Sequence, residues 1–400
     1  MIMSILYLSA LSSPKLVDEL YNFNKKDPGF AVQKFNRLLA GGLIKSGEGV
    51  NVLSAPPVGR HNSSKLFWHR GKETDGGVMY RYLSFINIPG LRQLCLIVGT
   101  FCHTLFWAMS KPKKERAVVC DVLNASMGAA AILACKITGT QTVGVMTDMP
   151  GLMVRFEANQ KMPFSTRIAT SLIKWCFRNY DKFVFLTEAM NVVNEHSRPY
   201  IVMEGMSDGT MSGYKKSSEK KEVRSIMYAG GLHERYGLKK LTEAFMTLPQ
   251  EDICLKLFGS GPFVEELRER YCKEDNRVMY MGVVPNTEVV EAELDASLLV
   301  NPRPTHEEFT KYSFPSKNIE YMASGTPLLT TKLPGMPKEY YPYVFLIENE
   351  TTEGYSQALA EALTKTDEEL FEYGARAKSF VLDKKNSCEQ ARRVIELIKR

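Results

Sequence analysis

Three short stretches of the chain hold side chains whose types and spacing suit chemistry. In Ser313-Phe314-Pro315-Ser316-Lys317-Asn318-Ile319-Glu320, proline and serine precede a run with helical apolar spacing. A helix is expected to start there, with its free N–H groups open to an anion. Lys317 adds a positive charge in the first turn, and Glu320 stands one turn in from Ser316, on the same side. A carboxylate beside an anion-attracting helix start suits the paired hydroxyls of a ribose. The same residues also suit an ordinary αβ connection with a solvated Lys and Glu. The second stretch, Thr147-Asp148-Met149-Pro150, ends an apolar run. It places Asp148 at the carboxyl end of a strand, where open α/β sheets hold ligands. An Asp that merely opens a turn before Pro150 is the plain alternative. In the third, Gly230-Gly231 follows the run Ser225–Ala229 and leads to Arg235, a loop cation that either meets an anion or is simply solvated.

The elements needed to position these residues can be read in chain order. Ile2–Leu8 is expected as a buried strand, followed by a polar irregular segment through Asp27. Pro28-Gly29 then opens a helix over Val32–Leu43, with Phe35, Leu38 and Leu39 at helical spacing. A second strand lies in VNVLSAPP, and Arg60–Gly77 is expected as a long polar loop. A short strand near Met79–Leu83, an apolar helix over Leu94–Met109 and a strand at Ala117–Leu123 come next. An Ala-rich helix over Ser126–Ile137 and the strand ending at Asp148 follow, then a basic amphipathic helix between Arg155 and Tyr180 and the strand DKFVFL. After a Ser, Lys and Gly cluster, three strand–turn–helix units begin at Ser225, Leu255 and Val278, which predicts a parallel sheet. Two helices are expected between Asp367 and Arg400, the last with the stripe Val394, Ile395, Leu397 and Ile398.

Composition narrows the classes. Four hundred residues suit two domains, and 44% apolar with 24% charged residues suits a sizeable core. A net charge of +6 favours an anionic surface or substrate without requiring nucleic acid. Eight cysteines show no C-x-x-C pair and no zinc spacing, as expected for reduced thiols in a cytosolic protein. The Leu94–Met109 run is shorter than a bilayer span and is interrupted by His103. Arg92 precedes it, and Lys111, Lys113, Lys114 and Arg116 follow. A buried core helix, or a helix resting on an anionic membrane face, both fit.

The Phe309–Pro327 stretch resembles the donor-site segment of family 4 glycosyltransferases, retaining enzymes of the GT-B fold. In that family two glutamates stand eight positions apart, and A-x-G-x-P follows the second. Glu320, Ala323, Gly325 and Pro327 match the second half. Tyr312 stands at the place of the first glutamate. The resemblance therefore gives Glu320 the ribose-binding role, does not transfer the sugar-hydroxyl role, and leaves Tyr312 a candidate at the reacting centre beside Asp148. The F-P-S-K-x-x-E form resembles a bacterial polysaccharide-type subgroup. By the same resemblance Gly29 lies over the donor's diphosphate, the residue after Gly282 (Val283) cups the base, and Ser313 and Ser316 line the donor. The family's two phosphate-binding cations fall on Gly231 and Tyr236, so Arg235 and Lys317 are the candidates to replace their charge.

The resemblance implies an α/β protein of two Rossmann-like domains facing across a cleft, its last helix crossing back to the first domain. The expected division is an acceptor-binding domain over 1–208, a linker over 209–222, a donor-binding domain over 223–383 and a crossover helix over 384–400. The implied activity is retaining transfer of a sugar from a UDP-linked or other nucleotide diphosphate donor to a saccharide or lipid-linked acceptor of surface polysaccharide. It would need no metal and no cofactor beyond the co-substrate, and would run in the cytoplasm or at the inner face of the membrane. A nucleotide-sugar epimerase of the same fold and a non-catalytic nucleotide-sugar-binding relative are the alternatives.

Overall fold

The computed structural model describes residues 2–24, 29–149, 164–216 and 221–400. The chain divides into two compact units, Met1–Met206 with Ser387–Arg400, and Ser207–Asn386. Both are α/β units built on a mainly parallel sheet.

In the first unit, β1 (Ser4–Ser9) leads to α1 (Pro14–Asn24), α2 (Phe30–Lys45) and β2 (Gly49–Ser54). Then come β3 (Phe67–Trp68), β4 (Lys72–Asp75), β5 (Val78–Tyr82), β6 (Phe85–Ile86) and α3 (Leu91–Met109). The unit continues with β7 (Arg116–Asp121), α4 (Ala125–Thr138), β8 (Gln141–Met146), α5 (Phe164–Asn179), β9 (Lys182–Phe185) and β10 (Tyr200–Val202). Its sheet runs β10-β9-β8-β7-β1-β2-β5-β4, parallel except for the β4–β5 pair, while β3 and β6 form a separate antiparallel pair. Two segments expected to be irregular are ordered. Within the stretch expected to be polar and loose through Asp27, Leu16, Val17 and Leu20 are buried along one side of α1. The expected loop over Arg60–Gly77 contains β3 and β4, fixed by Trp68 stacking on Phe85 with centroids 5.4 Å apart. Both depend on contacts with distant segments, which local polarity conceals. The expected helix between Arg155 and Tyr180 is seen as α5, and residues 150–163 lie outside the described residues.

The helix expected over Leu94–Met109 starts at Leu91, after Gly90 in a positive-φ conformation. At 19 residues α3 is long and apolar enough to cross a membrane by length and composition, so the expectation of too short a run is corrected. Its outward face is apolar, unlike that of an ordinary surface helix. Leu91, Leu94, Val98, Cys102, Phe106 and Met109 make an outward apolar stripe, with Phe106 and Met109 each 68% exposed. The inward side carries Leu96, Ala108, Thr100, Thr104 and Trp107, and the hydroxyls and indole N–H of the last three have no hydrogen-bond partner among the described residues.

The second unit comprises β11 (Arg224–Gly231), α6 (Leu238–Met246), β12 (Ile253–Ser260), then α7 (Val264–Glu266) and α8 (Cys272–Glu274) joined by a π turn over Leu267–Tyr271. It continues with β13 (Val278–Gly282), α9 (Asn286–Asp295), β14 (Leu298–Asn301), α10 (Ser316–Ser324), β15 (Leu328–Thr331), β16 (Phe345–Ile347), α11 (Thr352–Leu363) and α12 (Asp367–Lys384). The sheet runs β13-β12-β11-β14-β15-β16 and is wholly parallel. The period-2 alternation of β11 sends Ile226 and Tyr228 into one core layer and Met227 and Ala229 into the other. Both faces are covered by helices, so the middles of the strands are mainly apolar.

The last helix, α13 (Ser387–Lys399), belongs to the first unit and packs on α2. Its stripe of Val394, Ile395, Leu397 and Ile398 is buried. Gln390 donates to the Gly205 carbonyl at 3.0 Å, and Arg393 to that of Val202 at 2.8 Å. Gly42 on α2 lets the helices meet closely, since a Cβ there would lie 2.1 Å from the Ser387 carbonyl oxygen.

Candidate functional site

In the second unit the candidate residues gather at the carboxyl ends of β11 and β14, around the start of α10. Pro315 precedes the helix, Ile319, Met322 and Ala323 fill the core, and Gly325, at φ 85°, ends it. Two buried contacts fix where that helix start points. The Tyr321 hydroxyl accepts from the Ala229 N–H at 2.8 Å and donates to the Ala229 carbonyl at 3.1 Å. The Asn301 side chain donates to that of Asn318 at 2.5 Å, tying α10 to the end of β14.

This pinning brings Lys317 over Gly230. A Cβ on Gly230 would lie 2.6 Å from Lys317 Cε and 2.9 Å from the Tyr228 hydroxyl, so a side chain there would push the lysine stem aside. Lys317 Nζ lies 5.9 Å from the centre of the Tyr321 ring. Glu320 is half-buried three residues along the same helix, and Ser316 is exposed as the first helical residue. Ser313 is turned back, its hydroxyl donating to the Phe309 carbonyl at 3.1 Å. Tyr312 is half-buried and closes the short 3-10 turn Glu308–Lys311. Gly231 is half-buried, with Tyr236 Cε2 within 3.4 Å of where its Cβ would be. Val283 is 72% exposed after Gly282, whose φ of 78° turns the chain out of β13.

Arg235 is exposed and lies 5.3 Å from the Tyr236 ring centre and 5.8 Å from that of Phe309. The same two rings hold a residue that the sequence did not single out, Arg303, at 4.7 and 5.6 Å. Arg303 follows β14, and burial pulls its pKa down from the usual guanidinium value. Its only advance signal is a lone arginine at the carboxyl end of an apolar strand.

In the first unit, Gly29 holds a left-handed conformation at the start of α2, with φ 90°, and its carbonyl accepts from Gln33 N–H at 2.9 Å. Asp148 follows β8 and is half-buried, and burial raises its pKa. A second carboxylate near Asp148 escaped the sequence reading. Asp121 ends β7, the strand between β1 and β8, and is 2% exposed. Burial, with a further push from the Asp148 charge, raises its pKa to about 6. Its carboxylate accepts from the Leu123 N–H and the Asn124 amide, both at 3.0 Å, and from Asn36, whose own carbonyl accepts the Tyr7 hydroxyl at 2.6 Å. The signal that marks Asp148, an acid at a strand's carboxyl end, marks Asp121 equally.

Among the described residues no group of three or more His, Cys, Asp and Glu side chains could hold a metal ion. What the second unit offers is an assembly of cations, backbone amides and one carboxylate at the carboxyl edge of a parallel sheet. That is the equipment for holding an anion with hydroxyl groups attached.

Residues 223–365, the sheet of the second unit and its flanking helices, match the family described as Glycosyl transferases group 1. No curated protein sequence matches the chain. Solved structures match over nearly its whole length. Sucrose-phosphate synthase from Thermosynechococcus elongatus superposes with a TM-score of 0.65 at 14% identity, covering 99% of this chain and 98% of that one. The apo lipopolysaccharide outer core galactosyltransferase WaaB gives 0.62 at 13% identity, covering 99% of both chains. Anabaena HepE in complex with UDP gives 0.58 at 14% identity, covering 98% and 99%. The chain has the GT-B fold with two Rossmann-like units, and the family match over the second unit supports a glycosyltransferase.

Proposed function

We propose that this protein is a retaining, metal-independent glycosyltransferase. It would move a sugar from a nucleotide diphosphate donor, UDP-linked, to a saccharide or lipid-linked acceptor in the assembly of a surface polysaccharide. The observation that carries the reading is the pinning of α10 by Tyr321 to Ala229, which sets Lys317 over Gly230 with Glu320 one turn on. A diphosphate at Gly230-Gly231 would meet Lys317 and the first N–H groups of α10, and its ribose would meet Glu320. The bound UDP in the structurally similar HepE and the group 1 match lend support.

In this reading the protein's own cations stabilise the negative charge that grows on the leaving diphosphate. Asp148 is the proposed group at the reacting centre. It either stabilises positive charge at the anomeric carbon or takes the acceptor's proton, and a pKa raised by burial suits the second task. Tyr312, in place of the family's first glutamate, offers a hydroxyl to the sugar rather than a charge. The outward apolar stripe of α3, followed by Lys111, Lys113 and Lys114, supports attachment to the inner face of an anionic membrane, where a lipid-linked acceptor would be found.

The test is release of UDP when the pure protein is mixed with UDP-sugars and a saccharide or lipid-linked acceptor. Release that requires acceptor and survives EDTA is the expected result. UDP-sugar turned over without any acceptor would mean an epimerase, binding without turnover a non-catalytic relative, and loss in EDTA restored by Mg²⁺ would refute the metal-independent mechanism.

A further inference from the structure

Arginines that are wholly or partly buried in the second unit come in two kinds. Arg224 and Arg277 are each held by a carboxylate, Asp367 at 2.9 Å and Asp275 at 2.7 Å, and each also donates to backbone carbonyls. Arg303 has none of this. Its guanidinium makes no hydrogen bond and no ion pair with any described residue, and its Nε is fully enclosed without a partner. What surrounds it is the faces of Tyr236 and Phe309, whose centroids are 6.2 Å apart. The groups that act on it electrostatically are Tyr228, Tyr236 and a second cation, Arg235, which shares the same two rings. Arg235 has no ionic partner among the described residues either.

A half-buried guanidinium without a counter-ion, beside another of the same charge, costs stability. Aromatic faces offset only part of that cost. A fold keeps such an arrangement where an anion arrives to complete it. The position is also informative. Tyr236, the ring nearest Arg303, follows the loop that leaves the glycines of β11. The Tyr228 hydroxyl donates to the Gly231 carbonyl at 3.1 Å and lies beside Gly230, over which Lys317 passes. Arg303 thus reaches the glycines at the end of β11 through the Tyr236 ring, whose Cε2 lies 3.4 Å from where a Cβ on Gly231 would be.

We infer that Arg303, held against Tyr236 and Phe309 and backed by Arg235, is a diphosphate-binding residue that supplies positive charge from the end of β14. This rests on the donor-binding reading of the second unit. A guanidinium fork offers two parallel N–H groups to phosphate oxygens, which a lysine ammonium does not. The ligand class is a nucleoside diphosphate, with inorganic pyrophosphate as its minimal mimic.

The experiment is calorimetric titration of UDP, uridine and inorganic pyrophosphate into the wild type, Arg303→Met and Arg303→Lys, with the melting temperature of each free protein. For Arg303→Met, UDP and pyrophosphate affinity should fall roughly 10- to 100-fold, as for loss of charge-assisted hydrogen bonds, while uridine affinity is unchanged. The free Arg303→Met protein should melt at the wild-type temperature or higher, since an apolar chain replaces an unpaired charge. A purely structural arginine would give a lower melting temperature and equal losses for uridine and UDP. If Arg303→Met does not fold, Arg303→Lys decides: it keeps the charge without the fork and should lose at least about tenfold for UDP. Wild-type UDP affinity in Arg303→Met or, failing that, in Arg303→Lys overturns the inference and leaves the donor reading standing. Pyrophosphate binding that depends on Arg303, with no nucleotide bound by the wild type, upholds the anion site and overturns the donor reading.

Discussion

Asp121 gives the first unit a stability that depends on pH in a defined direction. Its pKa rises from 3.8 to about 6 in the folded protein. That corresponds to about 3 kcal/mol of preference for the protonated form. The sign follows from proton counting. Between pH 4 and 6 the folded state binds more protons at this site than the unfolded state, so stability falls as pH rises through that window and levels off above it. About 2 kcal/mol of the fall lies between pH 4 and 7. Asp121→Asn removes the ionisation and keeps an acceptor for the Leu123 N–H, but needs the Asn124 amide to turn over to present its oxygen and the Asn36 amide to share the remaining acceptor. The variant should therefore lack this slope and should exceed the wild type in stability above pH 6. All three tryptophans, Trp68, Trp107 and Trp175, are in the first unit, so urea unfolding followed by their fluorescence reports on that unit alone. Identical slopes for the two proteins from pH 4 to 7 would refute the reasoning. In Asp148→Asn the midpoint of the slope should move down, because the nearby Asp148 charge helps to hold the Asp121 pKa up.

The other predictions concern the proposed activity. Glu320→Ala should weaken UDP binding by about 1.5–3 kcal/mol, as for a lost charge-assisted hydrogen bond, and unchanged affinity by calorimetry would remove Glu320 from the ribose site. Asp148→Asn should keep nucleotide affinity while turnover drops by about 10²-fold or more, whereas a destabilised but active protein would mark Asp148 as a turn residue. Tyr321→Phe breaks both hydrogen bonds to the Ala229 backbone, so it should cost about 1–3 kcal/mol of stability and weaken UDP binding together; loss of neither would show that α10 is placed by apolar packing alone. Changing Lys111, Lys113 and Lys114 to Glu should abolish salt-sensitive sedimentation with anionic vesicles, each lysine contributing about 1 kcal/mol near such a surface; equal binding to neutral vesicles would point to the apolar stripe alone.

What repeats locally is legible in the order of the amino acids. Alternating apolar runs closed by glycines define the parallel strands, and Pro315, the apolar spacing of Ile319, Met322 and Ala323, and Gly325 define a helix at the carboxyl edge of the sheet. Those signals lie within a few residues of one another, and so does the pattern that sets Lys317 and Glu320 on one side of α10. Tertiary structure decided the rest. Arg303 is an unremarked loop residue until Tyr236 and Phe309, from two other segments, close on it and no carboxylate does. Asp121 is as plain as Asp148 until Asn36 from α2 and the charge of Asp148 enclose it. α1, β3 and β4 look too polar to be ordered until the segments they pack on are in place. Burial and charge pairing are sums over neighbours brought together by folding. A side chain's type is written in the sequence, but whether its charge is left without a partner depends on residues up to hundreds of positions away.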